Sequence, residues 1–163
     1  LERLRDARSK LSSGDGGAFY QRLADRWNTH NISPQRKAMA ERAKPLSSAE
    51  MVEAWEQQDL CKSQMLEWMK SYDVFICPTA NKPAQPIDGN GTGGGGGGPD
   101  GWPYTGVFNC TGWPVVVVRC GASADGKLPI GLQVVAAPWR EDLCIAVASY
   151  LESKSGGWQR PPV

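Results

Sequence analysis

The chain has 163 residues, 40% of them hydrophobic, with eighteen Lys and Arg against seventeen Asp and Glu for a net charge of +1. That length and apolar content suit one packed domain rather than a disordered chain. Near neutrality excludes the strong field that draws a protein to phosphate backbones or anionic lipid, so nucleic acid is not an expected partner. No apolar run approaches the roughly 18 to 20 residues that cross a bilayer, and the longest, residues 115–118, reads as a strand. No integral membrane segment is expected. The cysteines, Cys61, Cys77, Cys110, Cys120 and Cys144, are odd in number and contain no C-x-x-C pair. They indicate neither a disulfide framework nor a zinc site, and a reducing, cytoplasmic setting fits best. Three matches to the N-glycosylation pattern, at Asn31, Asn90 and Asn109, are of a kind that chance supplies.

The segment 1–72 reads as helical. The opening "LERLRDARSKL" places Leu1, Leu4, Arg8 and Leu11 at helical spacing with no initial methionine, so the chain is expected to begin inside a helix, as a truncated piece of a longer protein. Phe19, Leu23 and Trp27 follow at i, i+4, i+8, and Ser33-Pro34 has the form of an N-cap and first-turn proline. In "LSSAEM", Ser47 and Glu50 make a capping box while Leu46 and Met51 hold the two positions of a hydrophobic staple. A long helix should start there and end near Ser71. Its expected apolar stripe is Met51, Trp55, Cys61, Met65, Met69 and Tyr72, interrupted at Gln58.

Residues 73–79, "DVFICPT", form a short β-branched and aromatic run closed by proline, as expected of a buried strand ending at a loop. Residues 80–101 are rich in proline and glycine, with six successive glycines at 93–98, and read as a mobile loop. They contain neither the G-x-G-x-x-G nor the Gly-Lys-Ser/Thr ending of a phosphate cradle. Residues 102–163 complete the chain. A short helix or turn over 104–111 precedes a strand at 114–119. Asp125-Gly126 supplies the positive φ angles of a tight connection to a second strand, "IGLQVVAA", predicted to pair antiparallel with the first. A last helix has Glu141 and Asp142 at its N-terminus, a glycine stop, and a Leu143, Val147, Tyr150 face directed at the sheet.

Few groups offer chemistry. His30 is the single histidine, and neither a G-x-S-x-G elbow nor an S-x-x-K pair exists. Cys77 and Cys120 sit at strand ends without an adjacent base, and Glu141-Asp142 suits a helix dipole better than acid-base catalysis.

The block "YTGVFNCTGWPVVVVRCG", followed by "GKLPIGLQVVAAPWREDLCIAVASYLE" and preceded by "YDVFICPTANKPAQP", resembles the C-terminal end of the amidase signature family. "PWREDLC" is similar to its general amidase, fatty acid amide hydrolase-like branch. The resemblance covers residues 73–163, and the helices before it carry weaker motifs. It implies an α/β fold, of which this chain holds the C-terminal portion only: part of a mixed β-sheet sandwiched by helices, one incomplete domain overall. It also implies hydrolysis of a carboxylic amide by a Ser, cis-Ser and Lys set that lies outside this chain, without a cofactor or metal. No residue here inherits a catalytic role.

The same resemblance makes Trp102, Tyr104, Gly106, Phe108 and Asn109 candidate pocket or pocket-supporting positions. Trp102 stands where glutamine-using relatives tend to place an Asp, and its apolar face favours a hydrophobic or aromatic amide, unless it merely anchors the loop. Asn109 is expected to bond loop backbone. The implied partners are a small-molecule amide and the missing N-terminal portion of the same protein, and a homodimer is compatible. The alternative is a non-catalytic binding or complementation module that docks on a chain carrying the catalytic residues. Peripheral membrane association is disfavoured by the charge balance and the lack of a basic amphipathic helix. Taken alone, the strands should leave apolar surface uncovered.

Overall fold

The computed structural model describes residues 2–29, 34–84 and 102–160. They form two compact units, Leu1–Lys62 and Ser63–Val163, whose boundary falls inside a long helix.

The first unit is helical throughout, with α1 (Glu2–Ser13), α2 (Ala18–Trp27), α3 (Pro34–Arg42) and the greater part of α4 (Ser48–Met69). Helix α1 buries Leu4 and Ala7 and leaves Arg8 exposed, so its inner face is Leu4, Ala7 and Leu11 rather than the line through Arg8. Leu1 lies outside the described residues. The Asp15 carboxylate accepts from the backbone N–H groups of Gly17 at 2.9 Å and Phe19 at 2.5 Å. It thereby satisfies donors that a helix start leaves without an internal partner. Phe19, Leu23 and Trp27 are all exposed on α2. Helix α3 starts at Pro34, as a first-turn proline favours, while Ser33 lies outside the described residues.

The capping box of α4 forms in full. The Ser47 hydroxyl and backbone N–H both donate to Glu50 Oε2, at 2.7 and 2.8 Å, and the Glu50 N–H donates back to Ser47 Oγ at 3.3 Å. Leu46 and Met51 both reach over Gly14. The stripe differs from the expected one. Ala54, Gln58 and Met69 are buried and Met51, Cys61 and Met65 half-buried, whereas Trp55 and Tyr72 are exposed. Steps of three and four residues along 51, 54, 58, 61, 65 and 69 keep one face of the helix, and Gln58 continues the stripe instead of interrupting it; Trp55 is turned off the face that Ala54 holds, and Tyr72 lies beyond the end of the helix.

The second unit holds a three-stranded antiparallel sheet in the order β1 (Val74–Pro78), β3 (Pro129–Ala136), β2 (Val115–Ala122). Val74 lies opposite Ala136, and Val116 opposite Val134. The β2–β3 hairpin forms as expected, with an irregularity between Arg119 and Gly121. Only Gly126 takes a positive φ in its turn, 74°. Asp125 instead accepts from the Lys127 N–H and the Ser123 hydroxyl, so it shapes the turn through its carboxylate and not through its own backbone.

Helix α6 (Glu141–Ser155) covers one face of the sheet. Val118, Val134 and Ala148 form the centre of that layer, with Val74, Val116, Val147 and Leu151 packed around them. The inner face of α6 is therefore Cys144, Val147, Ala148 and Leu151; Tyr150 points to solvent. The expected face is rotated from this one because it follows the large side chains, while small residues let α6 approach the valine strands closely. At its N-terminus Asp142 is held by Arg140 through a bidentate pair at 2.9 and 3.0 Å, and α6 ends at Gly156 in the left-handed region.

On the opposite face a single π-helical turn (Trp102–Gly106) runs into α5 (Val107–Thr111). Phe108 packs its ring 5.6 Å from Phe75 of β1. Helices thus flank both faces. The edge strands keep apolar side chains in solvent, with Ile76 54% and Val117 55% exposed.

Ser47→Ala is expected to cost about 1 kcal/mol, read from urea unfolding, since it removes one side of the capping box. The Ser47 hydroxyl and N–H hold the Glu50 carboxyl below its ordinary range. Its contribution is present above that range and disappears as pH falls through the lowered folded value, so the difference between wild type and variant should shrink on acidification.

Candidate functional site

The C-terminal end of β1 meets the start of β3 beside the π turn, and a cleft of about 690 Å³ opens there. One wall is the strand-end segment 78–84, the second is Tyr104 and Thr105, and the floor is Pro129, Ile130 and Gly131. Most of these residues are apolar, and Thr79, Asn81, Lys82 and Thr105 are the polar ones.

Two close fits build the cleft. At Gly131, a Cβ would stand 3.0 Å from Thr79 Cγ2 and 3.2 Å from Val117 Cγ1. Side chains from the end of β1 and from β2 therefore close over the centre strand only because glycine is there. Thr79 then donates to the Gly131 carbonyl from both its N–H and its hydroxyl, each at 3.3 Å. Two residues along β3, Gln133 is 3% exposed. Its Nε2 donates to the Tyr104 carbonyl at 2.8 Å and to the Pro78 carbonyl at 2.9 Å, with Cys77 Sγ 3.4 Å away. A buried carboxamide with both N–H bonds engaged is strongly held, because either carbonyl left alone would be desolvated without a partner.

Of the positions singled out in the sequence, Tyr104 lines the cleft. Phe108 is buried behind it against Phe75 and supports the wall rather than forming it. Gly106 is the helical joint between the π turn and α5, with φ −62° and ψ −33°. Asn109 is exposed on α5, away from the cleft lining. The Trp102 side chain, His30 and the six-glycine run lie outside the described residues. The structure adds Gly131, Gln133 and Thr79, whose signals were the Gly-x-Gln and Pro-Thr pairs; spacing along the chain gave no hint that the two pairs interlock. Among the described residues no cluster of His, Cys, Asp and Glu could hold a metal ion. Nor is any described helix long and apolar enough to cross a membrane.

The thiols differ in setting. Burial pushes Cys77 up, against the opposing hydrogen bond from Gln133, and burial likewise raises Cys144, whose thiol donates to the Pro114 carbonyl at 3.4 Å. Cys120 is exposed at the β2 irregularity.

Comparison with known proteins places the fold. The Amidase family profile matches residues 4–145. Human fatty-acid amide hydrolase 2 is 49% identical over 63 residues, 39% of this chain and 12% of that protein. The fatty acid amide hydrolase of Medicago truncatula is 33% identical over 105 residues, 60% of this chain and 17% of that protein. The solved 6-aminohexanoate cyclic dimer hydrolase, in complex with substrate, superposes with a TM-score of 0.76 at 22% identity, over 99% of this chain and 36% of that one. The fold is that of an amidase. The chain belongs to the amidase signature family, and it spans about a third of the solved relative and a smaller share of the curated ones.

Two measurements check the site. Gly131→Val is expected to destabilise the second unit by about 1–3 kcal/mol, as overpacking against Thr79 and Val117 forces the strands apart, and urea unfolding followed by far-UV circular dichroism reads it. In iodoacetamide labelling at neutral pH, mass spectrometry should find Cys120 modified before Cys77 and Cys144, with Cys77 accelerating only above the ordinary thiol range.

Proposed function

We propose that the chain is the C-terminal segment of an amidase that hydrolyses a carboxylic amide to acid and amine, and that it supplies one wall of the acyl pocket. The observation that carries this reading is the cleft, where Tyr104 of the family block faces the Pro-Thr strand end across a floor of Pro129, Ile130 and Gly131. Its walls, with Pro78, Ala80, Pro83, Ala84, Pro129 and Ile130, suit an apolar acyl or aryl group. Trp102 belongs to the same π turn as Tyr104, and this reading assigns it to that apolar surface as well.

In this reading the chemistry is acyl transfer to a serine hydroxyl. The nucleophilic Ser attacks the amide carbonyl, the cis-Ser passes its proton toward a neutral Lys, and the amine leaves with a proton. Water then cleaves the acyl-enzyme and the acid departs. The Ser, cis-Ser and Lys are residues outside this chain, so the chain's own contribution is to bind and orient the acyl part. That binding lowers the barrier by holding the carbonyl where the nucleophile reaches it. The relatives' names point the same way, being hydrolases of fatty-acid amides and of a 6-aminohexanoate cyclic dimer. The docking-module alternative is not favoured, since a single enzyme-family profile runs through residues 4–145.

The test uses decanoyl-4-nitroanilide, whose hydrolysis releases a coloured amine. The purified chain should give no turnover, and the chain joined to the serine- and lysine-bearing portion of the enzyme should give turnover. In the joined protein, Tyr104→Ala should raise KM about tenfold with a smaller change in kcat, as loss of an aromatic wall weakens binding. Turnover by the chain alone would overturn the assignment of the catalytic residues elsewhere, and an unchanged KM would remove Tyr104 from the pocket.

A further inference from the structure

We propose that Gln133 is the positioning residue of the cleft: its carboxamide ties the Pro78 carbonyl of one wall to the Tyr104 carbonyl of the other and so sets the gap that admits the acyl group. The proposal rests on the pocket reading above, and it assigns to a residue that does not line the cleft the control of its width.

The geometry is specific. A single nitrogen bonds both walls, at 2.9 Å to Pro78 and 2.8 Å to Tyr104, from a side chain rooted in the centre strand and 3% exposed. The two carbonyls lie on elements separated in sequence, β1 and the π turn, so no local structure fixes their spacing. Both belong to residues that line the cleft, while Gln133 stands behind them. A primary amide suits this place. It presents two N–H donors that diverge from one atom, carries no charge that burial would penalise, and stays protonated at every relevant pH. A hydroxyl has one proton and could hold only one wall. A lysine would bring an ammonium into a buried site whose described partners are two carbonyls and a thiol. The neighbouring Gly131 lets Thr79 lie flat over the strand, which brings Pro78 within reach.

Two substitutions test the clamp without changing side-chain size much. Gln133→Met removes both donors, and Gln133→Glu keeps the shape but has a donor only when protonated. Hydrogen exchange on the whole chain is read at residues 79–82 and 105–108 for the two walls, and at 116–118 and 132–135 for the sheet. In both variants the walls should exchange at least about tenfold faster while the sheet amides stay protected, and acidification should restore part of the wall protection in Gln133→Glu alone. Binding of decanoate, the acid product, to the joined protein, followed by calorimetry, should weaken about tenfold in Gln133→Met. Walls that exchange as in the wild type would overturn the clamp, and so would equal acceleration of walls and sheet, which marks a residue that only holds the fold. A wild-type joined protein that binds no decanoate, while the walls of the chain loosen in the variants, would sink the pocket reading and leave the clamp standing. Unweakened binding by Gln133→Met would separate the gap from acyl recognition and overturn the proposal in that form.

Discussion

The second unit is organised around a buried carboxamide in the middle of its sheet. Gln133 sits on the centre strand with Cys77 of one edge strand opposite it and Val117 of the other on its far side. Burying an amide among valines costs free energy unless each donor finds an acceptor, and here the acceptors are two main-chain carbonyls. The sheet and the π turn are therefore not independently placed. Where β3 goes, the end of β1 and the start of the helical cover must follow, and the space between them is fixed as a by-product of satisfying two N–H bonds.

The hydrophobic layers divide the work differently. Against α6 the contact is small side chain on valine, with Ala148 and Cys144 allowing a close approach and Val118 and Val134 filling it. Against α5 it is aromatic, with Phe108 on Phe75, and Trp68 of α4 stands edge-on to the same ring at 5.4 Å. Edge-to-face and tilted arrangements of this kind are those that aromatic rings prefer. The first layer is tight and uniform, and the second is bulky and leaves room beside it. The cleft opens on the aromatic side, next to the turn that carries Tyr104.

Elements with local signals were readable from the sequence. Ser47-x-x-Glu50 located the start of the long helix because both halves of a capping box lie within one turn, and the valine run, the Asp125-Gly126 turn and the strand after it located the hairpin. The inner faces of helices are less legible. Tyr150 and Trp55 read as inward because they are large and apolar, but what a helix buries is set by its neighbour, and the neighbours select Ala148 and Ala54. Gln58 and Gln133 show the same limit for polar groups. A glutamine in a stripe or a strand reads as an interruption until its partners are known, and those of Gln133 lie 55 and 29 residues away. The cleft was visible only in part. Tyr104 came from family resemblance, whereas the contact of Thr79 with Gly131 joins positions 52 residues apart, which local pattern does not reach.

That pairing separates two timescales of assembly. The β2–β3 hairpin closes a short turn, so it can form on its own early, while β1 joins the same centre strand only after the chain between them has come round. The entropy of that closure grows with the logarithm of length, and doubling the connection would cost only about 0.6 kcal/mol. The register of β2 against β3 is thus set within one hairpin, whereas β1 takes its register from a centre strand that the hairpin has already aligned.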